Sequence, residues 1–106
     1  MTDGRTNERR RPDGRSTGQR RVNAIGAARR AGESLRSLTR RTVESVVEVS
    51  REDGGGWLVA VEVLETPRIP DTSDVLAVYE VELDQYGALQ GYRRRERYTR
   101  GSSGSD

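Results

Sequence analysis

The sequence has no cysteine and no histidine among its 106 residues, and all 19 of its basic residues are arginine. The absence of cysteine excludes disulfides, thiolate metal sites and thiol nucleophiles, which fits a reducing cytoplasm. The absence of histidine removes the usual general base near neutral pH and the commonest metal ligand. No apolar run approaches the roughly 20 residues of a membrane span. We therefore expect a cytoplasmic protein with no catalytic activity, no cofactor and no membrane partner.

The charges that are present are segregated along the chain. Residues 1–41 hold 12 arginines and 4 acids, a net charge of +8, whereas residues 42–92 hold 2 arginines and 11 acids, a net charge of −9. Residues 93–106 hold 5 arginines and 2 acids, a net charge of +3. A basic head, an acidic middle and a basic end either attract one another or attract different partners.

The start of the chain differs in composition from the rest. Residues 1–19 are dominated by Gly, Asp, Asn, Thr and Arg, and Met1 is their only apolar residue. Such a segment cannot bury enough surface to offset the entropy lost on ordering. We therefore predict a disordered basic tail over residues 1–19, a folded domain over 20–100 and a flexible end over 101–106.

The first apolar periodicity predicts an amphipathic helix over residues 20–40. At 100° per residue, its alanines and leucines fall within a stripe about 100° wide, and its charged residues collect on the opposite side. Either Ser16, with Gln19 three residues later, or Asn23 would cap the helix start. Two internal glycines weaken the helix, so it must dock on an apolar surface. The stripe predicted to be buried consists of Ala24, Ala27, Ala28, Ala31, Leu35 and Leu38.

Four later segments alternate in polarity between turn signals, which predicts strands over residues 42–50, 57–66, 74–84 and 89–98. Gly87 is available for a positive φ in the last hairpin, and the short turns favour antiparallel neighbours. The predicted fold is α+β, with one N-terminal amphipathic helix packed on a four-stranded antiparallel β-meander. In the first strand we expect Val43, Val47 and Val49 on one face, with Glu44, Val46 and Glu48 on the other.

The acidic residues form no recognisable catalytic or metal site. Asp71 and Asp74 flank a loop, but the alternating oxygen ligands and distal glutamate of a calcium loop are missing. Asp74 is interpreted instead as the cap of a turn. Residues 54–56 are glycines that join two strands and do not open a helix, so they fail the structural test for a phosphate-binding loop. No catalytic, cofactor-binding or metal-binding residue is predicted.

The arginines of the last strand have two interpretations. Residues 92–98 interleave aromatic and cationic side chains, as nucleic-acid surfaces often do, and the arginines at 9–11 would add a flexible arm. Alternatively, arginines on one face of the strand pair internally with acids across the last hairpin. In that interpretation, the pairing groups are Arg93, Arg95 and Arg97 with Glu80, Glu82 and Asp84.

The most specific pattern lies between Pro67 and Gly101. It comprises a proline-bracketed loop, an alternating strand, a tight turn and a strand ending in Arg-Tyr-Thr-Arg-Gly. This order resembles the gas vesicle synthesis protein GvpO family, and the resemblance extends back to the helix. The matching segments are Arg68-Ile69-Pro70-Asp71, Asp74-Val75-Leu76-Ala77, Tyr79-Glu80-Val81, Leu83-Asp84, Gly91-Tyr92-Arg93 and Arg97-Tyr98-Thr99-Arg100.

The resemblance implies a non-catalytic accessory protein that is needed for gas vesicle formation and is not the main shell protein. Other gas vesicle proteins, shell or accessory, are then the expected partners. The alternative is a nucleic-acid-binding or regulatory protein that uses the Arg-rich tail and the last strand.

The expected partner-binding surface combines the loop between residues 67 and 74, stiffened by its prolines, with the basic last strand. In the competing internal account, Arg68 pairs with Asp71 or Asp74 and only shapes the loop. The predicted partner-binding residues are Arg68, Ile69, Pro70, Asp71, Asp74, Arg93, Arg97 and Tyr98.

Overall fold

One helix and four strands make up the regular structure of residues 20–102, which are the residues that the computed structural model describes. The tail predicted to be disordered, residues 1–19, lies outside them, as do residues 103–106. The elements are α1 (Ala24–Thr39), β1 (Thr42–Arg51), β2 (Trp57–Thr66), β3 (Val75–Leu83) and β4 (Leu89–Thr99), with short 3-10 turns at Asp71–Ser73 and Arg100–Ser102.

The strands form one sheet in the order β1-β2-β3-β4, and every neighbouring pair is antiparallel. Each strand therefore lies beside the strand that follows it in the chain, as short connections require. Helix α1 packs on one face of this sheet, which we call the covered face; the opposite face is the open face. This arrangement confirms the predicted α+β meander.

Helix α1 begins four residues later than predicted, because Asn23 caps it. The side-chain oxygen of Asn23 accepts a hydrogen bond from the backbone N–H of Gly26 at 2.8 Å, which satisfies one donor of the first turn. Just before the cap, the backbone N–H of Val22 donates to the carbonyl of Gln85 at 3.0 Å. The chain is thus tied to the β3–β4 turn before the helix starts. The other predicted cap, Ser16, lies outside the described residues.

The predicted apolar stripe of α1 is buried in its middle and exposed at its ends. Ala27, Ala31 and Leu35 are at most 1% exposed and pack against the covered face. Ala24 is exposed and Leu38 is 50% exposed, so the prediction was wrong for these two positions. The reason is that α1 packs mainly over β1, β2 and β3, which leaves its side toward β4 with less cover.

Strand β1 departs from the predicted alternation because it is interrupted at two positions. Its register with β2 shifts between Val43 and Ser45 and again between Val46 and Glu48. Each β-bulge adds an unpaired residue and moves the following side chains to the other face. Val46 is consequently paired with Val61 of the core, whereas Val47 is 55% exposed, contrary to the prediction.

The β3–β4 turn is built as the sequence predicted. Gly87 has a φ of 88°, a conformation that favours glycine. The Oδ1 of Asp84 accepts hydrogen bonds from the backbone N–H groups of Tyr86 and Ala88, both at 2.9 Å. An aspartate that bonds to backbone two residues ahead is a common way of closing a turn.

Candidate partner-binding site

The loop between residues 67 and 74 is fixed at its base by Asp74, whose exposed fraction is 5%. Its Oδ1 accepts a hydrogen bond from the backbone N–H of Arg68 at 2.7 Å, which closes the loop and confirms the predicted capping role. Its Oδ2 accepts from the Nε and Nη2 of Arg100 at 3.1 and 3.0 Å. The backbone N–H of Arg100 also donates to the carbonyl of Asp74 at 2.8 Å. One buried carboxylate thus holds the loop against the end of β4.

The tip of this loop presents a cationic and an apolar side chain to solvent. Ile69 is 100% exposed, and its peptide bond to Pro70 is cis. Arg68 is exposed, and within residues 20–102 its side chain makes no ion pair. Since the Asp74 carboxylate is occupied by the Arg68 backbone and by Arg100, the internal pairing of the Arg68 side chain is not what the structure shows.

Glu65, on the covered face, binds arginines from β4 and from the connection between α1 and β1. The Oε1 of Glu65 accepts from the Nε of Arg97 at 2.9 Å, and its Oε2 accepts from the Nη1 of Arg94 at 3.3 Å. The hydroxyl of Tyr79 donates to Oε2 at 3.3 Å, and the Nη1 of Arg41 lies 4.0 Å from the same oxygen. We call these five residues the Glu65 cluster.

The electrostatics of the Glu65 cluster are dominated by its cations. The side chain of Glu65 is 5% exposed, and burial alone would raise its pKa. Hydrogen bonds and Coulomb attraction from Arg97 and Arg94 outweigh burial and hold the pKa below its ordinary value. Glu65 is therefore ionised at neutral pH and anchors the arginines around it.

A second glutamate gathers cations on the open face. The Oε1 of Glu80 accepts from the Nε and Nη2 of Arg93, at 3.0 and 2.7 Å. Its Oε2 accepts from the Nε of Arg95 at 3.0 Å, and the Nη2 of Arg95 continues to the Oε1 of Glu48 on β1 at 3.3 Å. We call these four residues the Glu80 cluster. Hydrogen bonds from Arg95 and Arg93 lower the pKa of Glu80.

The predicted placement of three β4 arginines on one face was wrong for Arg97. The register of β4 with β3 shifts between the pairs Val78–Glu96 and Tyr79–Arg94, which leaves Arg95 as the extra residue of a β-bulge. Arg93 and Arg95 consequently reach Glu80 on the open face, whereas Arg97 reaches Glu65 on the covered face. The partners predicted at Glu82 and Asp84 are not used, because Glu82 faces Gly91 and Asp84 closes its own turn.

The structure divides the predicted partner-binding residues into three places. Arg68, Ile69, Pro70, Asp71 and Asp74 lie together in the loop. Tyr98 lies close to them, because it pairs with Leu76 at the same end of the sheet. The two remaining residues are further along β4 on opposite faces, Arg97 in the Glu65 cluster and Arg93 in the Glu80 cluster.

Sequence reasoning missed Glu65, Arg41, Arg94 and Arg100 as structural partners. The signal for Glu65 was present, since it continues the alternation that puts Val61 and Val63 on the covered face. An acid on an apolar face needs cationic or hydrogen-bonding partners. No comparable sequence signal identified those partners, because they depend on the bulge in β4 and on where the helix ends.

Neither a metal-ligating group of side chains nor a membrane-spanning helix is found in the described part of the chain. Within residues 20–102, no group of three or more Asp, Glu, His or Cys side chains is placed to hold a metal ion. Over the same residues, no helix is both long enough and apolar enough to cross a membrane.

Comparison with known proteins identifies the family. The family model described as "Gas vesicle synthesis protein GvpO" matches residues 10–104. Gas vesicle protein O of a Streptomyces species is 54% identical over 69 residues, which are 65% of this chain and 53% of that protein. Gas vesicle protein O of Haloferax mediterranei is 38% identical over 72 residues, covering 68% of this chain and 51% of that protein.

A third relative, gas vesicle protein O1 of Halobacterium salinarum, is 39% identical over 75 residues, covering 71% of this chain and 62% of that protein. The chain thus spans about half to three fifths of the length of these curated relatives. No solved structure matches the chain significantly. Because the family model covers nearly all of the sequence, the chain belongs to the gas vesicle synthesis protein GvpO family.

Proposed function

We propose that this protein is a non-catalytic accessory factor in gas vesicle formation, which acts in the cytoplasm by binding other gas vesicle proteins. Membership of the GvpO family and the names of the relatives support the connection to gas vesicles. The geometry of the loop at residues 67–74 supports binding as the mode of action. Its centre of contact is the Arg68–Ile69 tip, with Tyr98 at the edge.

The observation that carries the proposal is the fully exposed Ile69 on a loop whose base is fixed. Burying such a side chain in a partner contributes about 1.5–3 kcal/mol, whereas leaving it in water gives the isolated protein no stability. Because Asp74 and Arg100 already hold the base, little conformational entropy remains to be lost on binding. Arg68 adds a planar fork for a carboxylate of the partner.

The nucleic-acid alternative receives less support from the geometry. The arginines of β4 point to both faces of the sheet, and Arg93, Arg94, Arg95 and Arg97 are all engaged by glutamates. No single face therefore collects all these cations into the continuous track that a phosphate backbone requires. Binding of duplex DNA that weakens steeply with salt would favour this alternative.

The test is the substitution Arg68→Ala, expressed in vesicle-forming cells that lack their own GvpO-family protein. We expect the variant to melt near the wild-type temperature, because the side chain makes no ion pair within residues 20–102. It should nevertheless fail to restore gas vesicles and should lose a gas vesicle protein in a pull-down. Arg36→Ala is the matched control, since Arg36 is an exposed arginine on the solvent side of α1.

A folded Arg68→Ala variant that restores vesicles and keeps every partner contradicts the proposed contact. Loss of folding in Arg68→Ala would instead show that the side chain has a structural role. If Arg36→Ala abolishes vesicles as well, the effect is not specific to the loop, and the proposed location of the surface is wrong.

A further inference from the structure

The arginines of the Glu65 cluster have N–H groups that do not bond to Glu65. The side chains of Arg41, Arg94 and Arg97 are 41%, 44% and 55% exposed, although Glu65 is nearly buried beneath them. Arg97 donates to Glu65 through Nε and Arg94 through Nη1. A guanidinium has five N–H donors, so each of these forks retains outward donors.

The cluster is also unbalanced in charge. Three guanidinium groups surround one carboxylate, and within residues 20–102 none of the three forms a second ion pair. The local net charge of this group is therefore +2. Partly desolvated cations that share one small area raise the local concentration of anions and select planar, bidentate ones.

A groove with two exposed leucines lies further along the covered face, toward the β3–β4 turn. It lies between α1 and the start of β4 and has a volume of about 440 Å³. Its apolar lining includes Leu38 and Leu89, which are 50% and 37% exposed, and its polar lining comes from α1 at Arg30, Glu33, Ser34 and Ser37. Tyr92 of β4 has its ring centroid 6.1 Å from that of Tyr79, whose hydroxyl reaches Glu65. Tyr92 therefore lies on β4 between the residues of the cluster and Leu89 of the groove.

We propose that the covered face between α1 and β4 binds an acidic segment of a partner protein. Carboxylates of that segment take the outward N–H groups of Arg94, Arg97 and Arg41, and an adjoining apolar side chain enters the groove beside Leu38 and Leu89. This surface is separate from the Arg68–Ile69 tip and does not rest on the function proposed for that tip.

The chemistry favours an acidic peptide over a nucleic acid. The cationic area is confined to three side chains, which suits one or two carboxylates better than a run of phosphates. Among the described residues, the groove has no aromatic residue in its lining, and Tyr92 is the one exposed tyrosine of β4 near it, whereas single-stranded nucleic acid is held on several stacked aromatic rings.

The experiment uses the protein and a synthetic peptide of one leucine followed by a run of glutamates, with binding followed by fluorescence anisotropy. We expect the double variant Arg94→Gln, Arg97→Gln to weaken binding at least about tenfold, which is the loss of one charge-assisted hydrogen bond or more. The matched control is Arg93→Gln, Arg95→Gln, which removes two arginines of the same strand from the open face and should leave affinity unchanged.

A second measurement removes the dependence on variants that fail to fold. In an NMR titration of the unaltered protein with the peptide, the Nε–H signals of Arg94 and Arg97 should shift and those of Arg93 and Arg95 should not. Three results would overturn the proposal: equal weakening by both double variants, the same affinity for a peptide with glutamines in place of glutamates, or tighter binding of single-stranded DNA of equal charge.

Discussion

Glu65 and Glu80 bind arginines of the same strand on opposite faces of the sheet, but the two clusters differ in their balance of charge. The Glu80 cluster is balanced, because Arg93 and Arg95 face two carboxylates, Glu80 and Glu48. The Glu65 cluster is not balanced, since three arginines face one carboxylate. The Glu80 cluster therefore balances its own charges, whereas the Glu65 cluster has an excess of cationic groups.

Depth separates the two clusters as well. The Glu65 side chain is 5% exposed and the Glu80 side chain 13% exposed. Burial is the largest single influence on the pKa of Glu65 and raises it, although the arginines together lower it by more. At Glu80 the largest influences are the hydrogen bonds from Arg95 and Arg93, which lower the pKa. Removing the more deeply buried carboxylate leaves three arginines without their shared counter-charge, so its loss should cost more stability than the loss of Glu80.

The largest effect is expected where the covered face is apolar. Leu35→Asp places an unpaired charge at a position that is 1% exposed, which costs several kcal/mol against a total stability of about 5–15 kcal/mol. The variant should be unfolded or nearly so by circular dichroism. Arg36→Asp, one residue away on the solvent side, should melt within a few degrees of wild type. Equal melting of the two variants would show that the wrong face of α1 has been identified as buried.

An intermediate effect is expected for Glu65→Gln. The substitution removes the negative charge and one of the two acceptor oxygens that the arginines share, and it should lower the free energy of unfolding by about 1–3 kcal/mol in urea titrations. Glu80→Gln should lower it less, because water reaches the open face. A larger loss of stability for Glu80→Gln than for Glu65→Gln would show that the more deeply buried glutamate is not the more stabilising one.

Acidification should lower the free energy of unfolding, because it protonates the carboxylates of Glu65 and Glu80. The pKa values of Glu65 and Glu80 are lowered from 4.5, so both groups contribute stability that is fully present above that pH. This stability is lost as the pH falls through their lowered folded-state values. The difference in unfolding free energy between wild type and Glu65→Gln should therefore narrow on acidification. A difference that stays constant from neutral pH to below about 3 would contradict the linkage.

The smallest effect is expected at the outer end of the Glu80 cluster. Glu48 is 55% exposed in its side chain, and its only ion pair within residues 20–102 is with Arg95, which keeps Glu80 as its partner. Glu48 also accepts a hydrogen bond from the hydroxyl of Ser50 at 3.4 Å. Glu48→Gln should leave the melting temperature unchanged within error, as is common for exposed ion pairs. A fall in melting temperature as large as that of Glu65→Gln would show that burial of the carboxylate does not determine how much each interaction contributes to stability.

The fold was largely predictable because local signals agreed with one another. Strand alternation, the Asp84–Gly87 turn and the alanine stripe of α1 all indicated a helix on an antiparallel meander. The errors come from tertiary constraints. The helix start moved to Asn23, where the chain is tied to the β3–β4 turn, and β1 changed faces at bulges that alternation alone does not show.

The candidate site was predictable only in part. The loop of residues 67–74 and the capping role of Asp74 followed from prolines and turn chemistry. The face of Arg97 did not, because a single extra residue at Arg95 moves it across the sheet. The Glu65 cluster joins β2, β3, β4 and the end of α1, and such long-range convergence has no local signature.

The proposed function depends most on whether the Arg68–Ile69 tip contacts another gas vesicle protein. The direct measurement is photo-crosslinking in vesicle-forming cells, with a photoreactive amino acid at Ile69 and the same residue at Arg36 as the control. We predict crosslinks from position 69 to one or more gas vesicle proteins and none of these from position 36. Vesicle-forming cells that show no crosslink specific to position 69 would contradict the account.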